Sequence, residues 1–186
     1  MNSIWDNIFR TNGGTPATWE LLRKIPLFSD LSRKELAAVE RILYRREYAA
    51  GEVIFRQGEP GVGMYLIEQG RVSIVYEPTG RVLSELCDGD FFGEIALLNE
   101  TPRSATARAE TACTLWGFFQ PELLGLLARD PKLGVKVLLP LARIAGRRLI
   151  RADRELQALY EEVERLRAAC SGETAGGAED AHEPMA

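Results

Sequence analysis

Histidine is nearly missing from this chain of 186 residues: its single copy, His182, stands in a polar tail. That removes most Ser-His, Cys-His and histidine-metal chemistry, which needs an imidazole beside a nucleophile or around an ion. Neither a catalytic residue nor a metal ligand is assigned, and no cofactor is expected. Cysteine is scarce too. Cys87, Cys113 and Cys170 are odd in number, far apart and without metal-ligand spacing, which fits a reducing, cytoplasmic setting. No stretch approaches the ~18 consecutive apolar residues of a membrane span. The leading MNSIWDNIFR has no signal-peptide core, so no membrane partner is expected. Positive charge is not in excess: 23 Lys and Arg against 27 Asp and Glu leave a formal net charge of −4. A chain whose main partner is nucleic acid would carry the opposite balance.

What is present begins with enough apolar residues, 46%, to fill a core, in a length that suits one domain with appendages. Residues 1–19 read as an N-terminal arm, with Ile4, Trp5, Ile8 and Phe9 at helical spacing ahead of the breaker Asn12-Gly13-Gly14. Pro26 splits the helical stretch that follows. Ser32 and Glu35 form a capping-box signature, and Leu31 and Leu36 stand where a hydrophobic staple needs them. Leu36, Val39 and Leu43 share one face, so the spacing predicts a helix over 33–45.

From Tyr48 the period shortens. Val53–Phe55, Met64–Ile67, Val72–Tyr76, Val82–Leu86, Ala105–Ala109 and Cys113–Phe118 are short β-like runs. Turn-forming residues at 51–52, 58–61, 70–71, 78–80 and 88–90 separate them, and Gly58, Gly61 and Gly70 are read as turn glycines. The GEPG run is no phosphate loop, because no Gly-Lys-Ser/Thr follows it. Strands this short and frequent predict a sandwich or small barrel.

After Phe119 the pattern turns helical. Pro121 and Pro131 are placed as first helical residues, and Pro140 either kinks the next helix or begins the last one. Ala142, Ala145, Leu149, Ala152, Leu156, Leu159, Val163, Leu166 and Cys170 then alternate at spacings of three and four, the seam of a coiled coil. Flanking charges suit a parallel pair, Arg148 meeting Asp153 and Glu162 meeting Arg167 of a second chain. A parallel homodimer through residues 142–170 is expected. Residues 171–186, small and acidic, read as a disordered tail.

Polar chemistry concentrates in residues 91–109, FFGEIALLNETPRSATARA. Gly93 followed by small Ala96 permits a turn whose N–H groups converge on an anion, and one helical turn at Ile95–Asn99 adds further donors. Arg103 supplies a permanent charge with a planar fork of donors that matches two phosphate oxygens. Glu94 only accepts, so beside an anion it makes sense where the ligand also brings a hydroxyl. Phosphate with an adjacent hydroxyl describes a ribose phosphate.

The run GE-I-A-L followed by Pro-Arg-Ser-Ala-Thr resembles the phosphate-binding cassette of the cyclic nucleotide-binding domain, shared by bacterial catabolite activators, cyclic-AMP-dependent kinase regulatory subunits and cyclic-nucleotide-gated channels. The segments IPLF-x-x-L and GEPGVGMYLIEQG are similar to other signatures of that family, and the likeness spans about residues 20–165. The resemblance implies a mainly β (α+β) fold, a double-stranded β-helix or jelly-roll β-roll with flanking helices over 20–139, then a long dimerisation helix over 140–170. It implies that Glu94 holds the ribose 2′-hydroxyl, that Arg103 pairs with the cyclic phosphate, and that Gly93, Ile95, Ala96 and Ser104 complete the phosphate's shell. Ile74 and Leu83 would wall the purine, and Ala152 and Asp153 fall where the long helix reaches the base. Ala152 has no side-chain hydrogen bond to offer a base. Serine at 104, where relatives that favour cyclic GMP carry threonine, leans toward cyclic AMP. After the long helix too few residues follow for a helix-turn-helix, so no DNA partner is expected. The implied function is a cyclic-nucleotide receptor that is not an enzyme and that signals through an unidentified partner protein. The alternative is a ligand-independent dimeric scaffold with a vestigial nucleotide site.

Overall fold

The computed structural model describes the backbone of residues 16–175 and the side chains of residues 20–168. The arm at 1–15, the tail beyond 175 and the Cys170 side chain lie outside the described residues. The chain divides into two compact units, Met1–Arg143 and Ile144–Ala186.

The first unit begins with α1 (Pro16–Lys24), which starts inside the stretch expected to be an arm, and α2 (Arg33–Glu40). The capping box of α2 is present in full: the Glu35 N–H donates to Ser32 Oγ, and the Ser32 N–H donates to Glu35 Oε2 at 2.8 Å. Leu31, Leu36, Val39 and Leu43 are all buried, as the staple and apolar face require. The helix ends at Glu40 rather than 45, because the next residues form β1 (Tyr44–Tyr48), which pairs along its whole length with a strand formed much later in the chain. Tertiary pairing overrides helical spacing here.

Seven more strands follow: β2 (Val53–Phe55), β3 (Gly63–Gln69), β4 (Val72–Tyr76), β5 (Arg81–Leu86), β6 (Phe91–Phe92), β7 (Thr106–Ala109) and β8 (Cys113–Phe119). They form two four-stranded antiparallel sheets, ordered β1-β8-β3-β6 and β2-β7-β4-β5. The expected β-roll is therefore correct, and six of its strands fall on the runs identified from period and turn residues. The other two, β1 and β6, are the ones without a sequence signal, β1 because YRREY is polar and β6 because it is only two residues long.

Both sheets contribute to one core. Ile67, Phe92, Cys113 and Leu115 come from the first sheet, and Val72, Ala107 and Ala109 from the second. Small residues on β7 let the sheets approach, while large ones fill the space opposite, the interdigitation that close packing requires.

Between β6 and β7 lies a single turn of helix, α3 (Ile95–Leu98); after β8 come α4 (Gln120–Arg129) and α5 (Pro131–Ala175). Pro121 and Pro131 sit at helix starts as expected, but Pro140 lies inside α5, so the last helix begins at Pro131 and not at 140. It also continues to Ala175, through the first residues assigned to the tail. Gly134 permits the α4–α5 turn to close, since a Cβ there would stand 2.6 Å from a Leu127 methyl.

Lys136 of α5 reaches back to Glu35 of α2, with Nζ 2.7 Å from Oε1. That hydrogen bond, and then the one from the Ser32 N–H, hold the Glu35 carboxyl at about 2, well below its usual 4.5. A carboxyl lowered on folding stabilises the fold fully above its ordinary value and loses that contribution as pH falls toward 2. In denaturant titrations Ser32→Ala should cost about 1 kcal/mol, and the stability gap between wild type and Glu35→Gln should shrink steadily from pH 5 to pH 2.

Candidate functional site

Two charged members of the 91–109 run, Glu94 and Arg103, are nearly out of water, at 4% and 7% exposed, and the Arg103 guanidinium reaches the carbonyl of Gly93 next to Glu94. The backbone builds this. The Arg103 N–H donates to the Glu59 carbonyl, and the Arg103 carbonyl accepts from the Gly58 N–H, each at 2.9 Å. Pro60 and Pro102 form an antiparallel bridge beside them, and the Gln57 N–H donates to Thr106 Oγ1. The 56–61 loop is closed on itself by the Arg56 N–H donating to Glu59 Oε2 at 2.9 Å. One loop far away in sequence thus fixes the Arg103 main chain through both its N–H and its carbonyl.

The guanidinium is then oriented by backbone oxygens. Its Nη1 donates to Gly63 O at 2.7 Å and, near the limit of hydrogen-bonding distance, to Gly93 O at 3.4 Å. The Phe55 ring lies across it, with Cζ 3.9 Å from the centroid. Nε is buried and has no hydrogen-bond partner. Burial pushes the Arg103 pKa down, with Tyr65, Glu59 and Tyr48 acting in the opposite sense; a guanidinium nonetheless keeps its charge in proteins.

Two glycines make room. Gly93 has φ +79°, and a Cβ there would stand 2.7 Å from Arg103 Nη1. Gly61 is not the turn glycine expected: its φ is not positive, and its role is close approach. A Cβ on it would meet the Ala96 Cβ at 2.5 Å and Thr101 O at 2.8 Å.

The expected single turn after Glu94 is present as α3. Its donors are partly used within the turn, because the Ala96 N–H donates to Gly93 O and the Leu97 N–H to Glu94 O, each at 3.1 Å. Ala96 is buried, Ile95 is half exposed, and Ser104 is exposed beside Arg103. Of the residues expected against a base, Ile74 is half-buried on β4 and packs on the inter-sheet core. Leu83 is 46% exposed on β5. The β4–β5 register steps from Ile74↔Ser84 to Val75↔Val82, which makes Leu83 the extra residue of a bulge. Ala152 and Asp153 are exposed positions of α5 in the second unit. Residues that the sequence did not assign to the site also shape it, namely Phe55, Glu59, Gly61, Gly63 and Thr106. Only the glycines carried a local signal, and it reads as turn chemistry until the approach of Ala96 and Arg103 is seen.

Residues 45–130 match the family model for the cyclic nucleotide-binding domain. The chain contains a domain of that family. Its relatives include a cyclic nucleotide-gated potassium channel of Mesorhizobium japonicum, 34% identical over 138 residues, 70% of this chain and 38% of the channel. They also include a cyclic AMP receptor protein of Thermus thermophilus, 37% identical over 147 residues, 77% of this chain and 66% of the receptor. The crystal structure of the T. thermophilus catabolite activator protein superposes with a TM-score of 0.66 at 37% identity, covering 73% of this chain and 63% of that one. The chain thus spans less than two thirds of the length of each of these relatives. Among the described residues no helix is long and apolar enough to cross a membrane, and no group of three or more His, Cys, Asp or Glu is placed to hold a metal ion.

Since a side chain at 93 meets both a left-handed backbone and the guanidinium, Gly93→Ala in the cyclic nucleotide-binding domain should lower stability by about 1–2 kcal/mol. Gly125→Ala is the control. A Cβ there finds only the far end of Arg129 at 3.8 Å, so a helix-interior glycine is replaced without strain and stability should rise by about 0.5–1 kcal/mol. Thermal denaturation of both variants checks the contrast.

Proposed function

We propose that this chain is a cytoplasmic receptor for a cyclic nucleotide, cyclic AMP in preference to cyclic GMP, and that it acts by changing conformation and not by catalysis. The observation that carries the reading is the Arg103 guanidinium, buried and charged, with Nε left without a partner beside Glu94 and Gly93. An unpaired buried donor on a charged group costs free energy, and a cyclic phosphate is the kind of anion that removes that cost. Glu94 then accepts from the ribose 2′-hydroxyl, and Ser104 adds a hydroxyl at the phosphate. Ile74 and Leu83 supply apolar surface for the base. Serine at 104 and a relative named as a cyclic AMP receptor support cyclic AMP.

Ligand binding works as a population shift, drawing the 93–104 segment into one arrangement and moving the helices that follow β8. The ligand shifts that equilibrium only by the difference in its affinity for the two states. A partner protein reads the change. Calorimetric titration with cyclic AMP and cyclic GMP tests the reading. Arg103→Ala should cost about 2–5 kcal/mol of binding, as expected when a buried charge pair loses one member. Unchanged affinity in that variant would sink the assignment.

A second reading, a dimeric scaffold that needs no ligand, is favoured by one observation. The seam of α5 carries large apolar side chains in water, with Leu149 71%, Leu159 64% and Leu166 57% exposed. The receptor and scaffold readings both predict a parallel homodimer through this seam. Sedimentation should give twice the 20.7 kDa chain mass, and Leu156→Lys with Leu159→Lys should return the monomer. A monomeric wild type would remove the seam from either reading. A dimer that ignores both nucleotides would favour the scaffold.

A further inference from the structure

We infer that Phe55 is a positioning residue for the anion site, acting through Arg103; the inference rests on the receptor reading above. Phe55 closes the short strand β2, and that strand is irregular. Its register against β7 passes from Val53↔Arg108 to Phe55↔Ala107, so two steps along β2 correspond to one along β7. A bulge of this kind bends the strand and re-aims a side chain. All three residues of β2 are half-buried, without the alternation of a regular strand.

The re-aimed ring meets two sets of neighbours. On one side it packs on Phe92 (centroids 5.8 Å apart) and Tyr65 (6.2 Å). Those two rings stack on each other at 5.7 Å, and Phe119 meets Tyr65 edge-on. Phe92 and Tyr65 belong to the first sheet and Phe55 to the second, so the ring is held by both layers of the roll. On the other side lies the guanidinium, 3.9 Å from the ring centroid. A cation this close to an aromatic face is attracted by the negative π surface, and a planar cation is also restrained in its tilt.

The orientation matters because the donors of Arg103 are divided. Nη1 is taken by the carbonyls of Gly63 and Gly93, whereas buried Nε has no partner. Because only the bond to Gly63 O is short, 2.7 Å against 3.4 Å for Gly93 O, the two carbonyls leave the plane some freedom to tilt. The ring removes that freedom and keeps the Nε edge turned to where an anion is received. Because the ring covers one face of the cation, water approaches less, which strengthens the charge-assisted bonds made by the remaining donors. Phe55 touches no ligand atom in this account.

The test is a double-mutant cycle on the full chain, with cyclic AMP as the titrated probe and melting temperatures recorded for each variant. Phe55→Leu should weaken binding about tenfold, in keeping with a cation–π contact in a desolvated site. Lysine has no planar fork to orient, so in the Arg103→Lys background the same change should cost less than about twofold, a coupling that distant or purely structural effects do not produce. Phe55→Tyr, which keeps the aromatic face, should stay within about threefold of wild type, and it keeps the proposal testable should Phe55→Leu not fold. Equal losses in the two backgrounds, or wild-type affinity in Phe55→Leu, would overturn the inference and leave the receptor reading standing. A folded wild type that binds no cyclic nucleotide would remove the receptor reading and this inference with it.

Discussion

The burial of one charge organises this domain. Taking a guanidinium out of water costs several kcal/mol unless its surroundings answer it, and around Arg103 the answer is assembled from distant parts of the chain. Gly63 and Gly93 provide carbonyl oxygens, Phe55 provides a π face, and the 56–61 loop holds the main chain through Gly58 and Glu59. The Gly63 and Gly93 carbonyls and the Phe55 ring carry only partial negative charge, and the Glu59 carboxylate acts on the guanidinium through its field. The site is therefore well oriented, and the buried Nε keeps a donor without a hydrogen-bond partner.

That arrangement needs a frame that does not give way. The roll supplies it by pairing strands from opposite ends of the sequence, so that β1 and β3 flank β8 and β7 lies between β2 and β4. The inter-sheet core sets small Ala107 and Ala109 against Phe92 and Leu115. Space near the site is scarce enough that glycine is required at 61 for contact reasons alone and at 93 for both contact and backbone conformation. Loops position the functional atoms here, but each loop is tied to another loop or strand by main-chain hydrogen bonds, which limits its freedom.

The second unit has a different physics. Residues of α5 beyond Ile144 carry apolar side chains at heptad spacing, and those side chains are exposed in the single chain. Surface ion pairs along it, such as Arg151 with Glu155, contribute little by themselves. An exposed apolar stripe of this length is a surface that association would cover.

Much of this could be read from the residues in order. Turn residues and a shortened period located six strands, the Ser32–Glu35 pair located the start of α2, and the 91–109 run singled out Glu94 and Arg103, which the fold buries. These features are local: each depends on residues within a few positions, so the sequence by itself determined them. Tertiary structure alone decided the rest. Tyr44–Tyr48 is a strand because β8 pairs with it, Gly61 is needed because Ala96 arrives beside it, Leu83 is displaced by a bulge, and Phe55 faces Arg103 because β2 departs from regular register. All four depend on partners distant in sequence, and spacing along a chain holds no record of which distant residue will fill a neighbouring space.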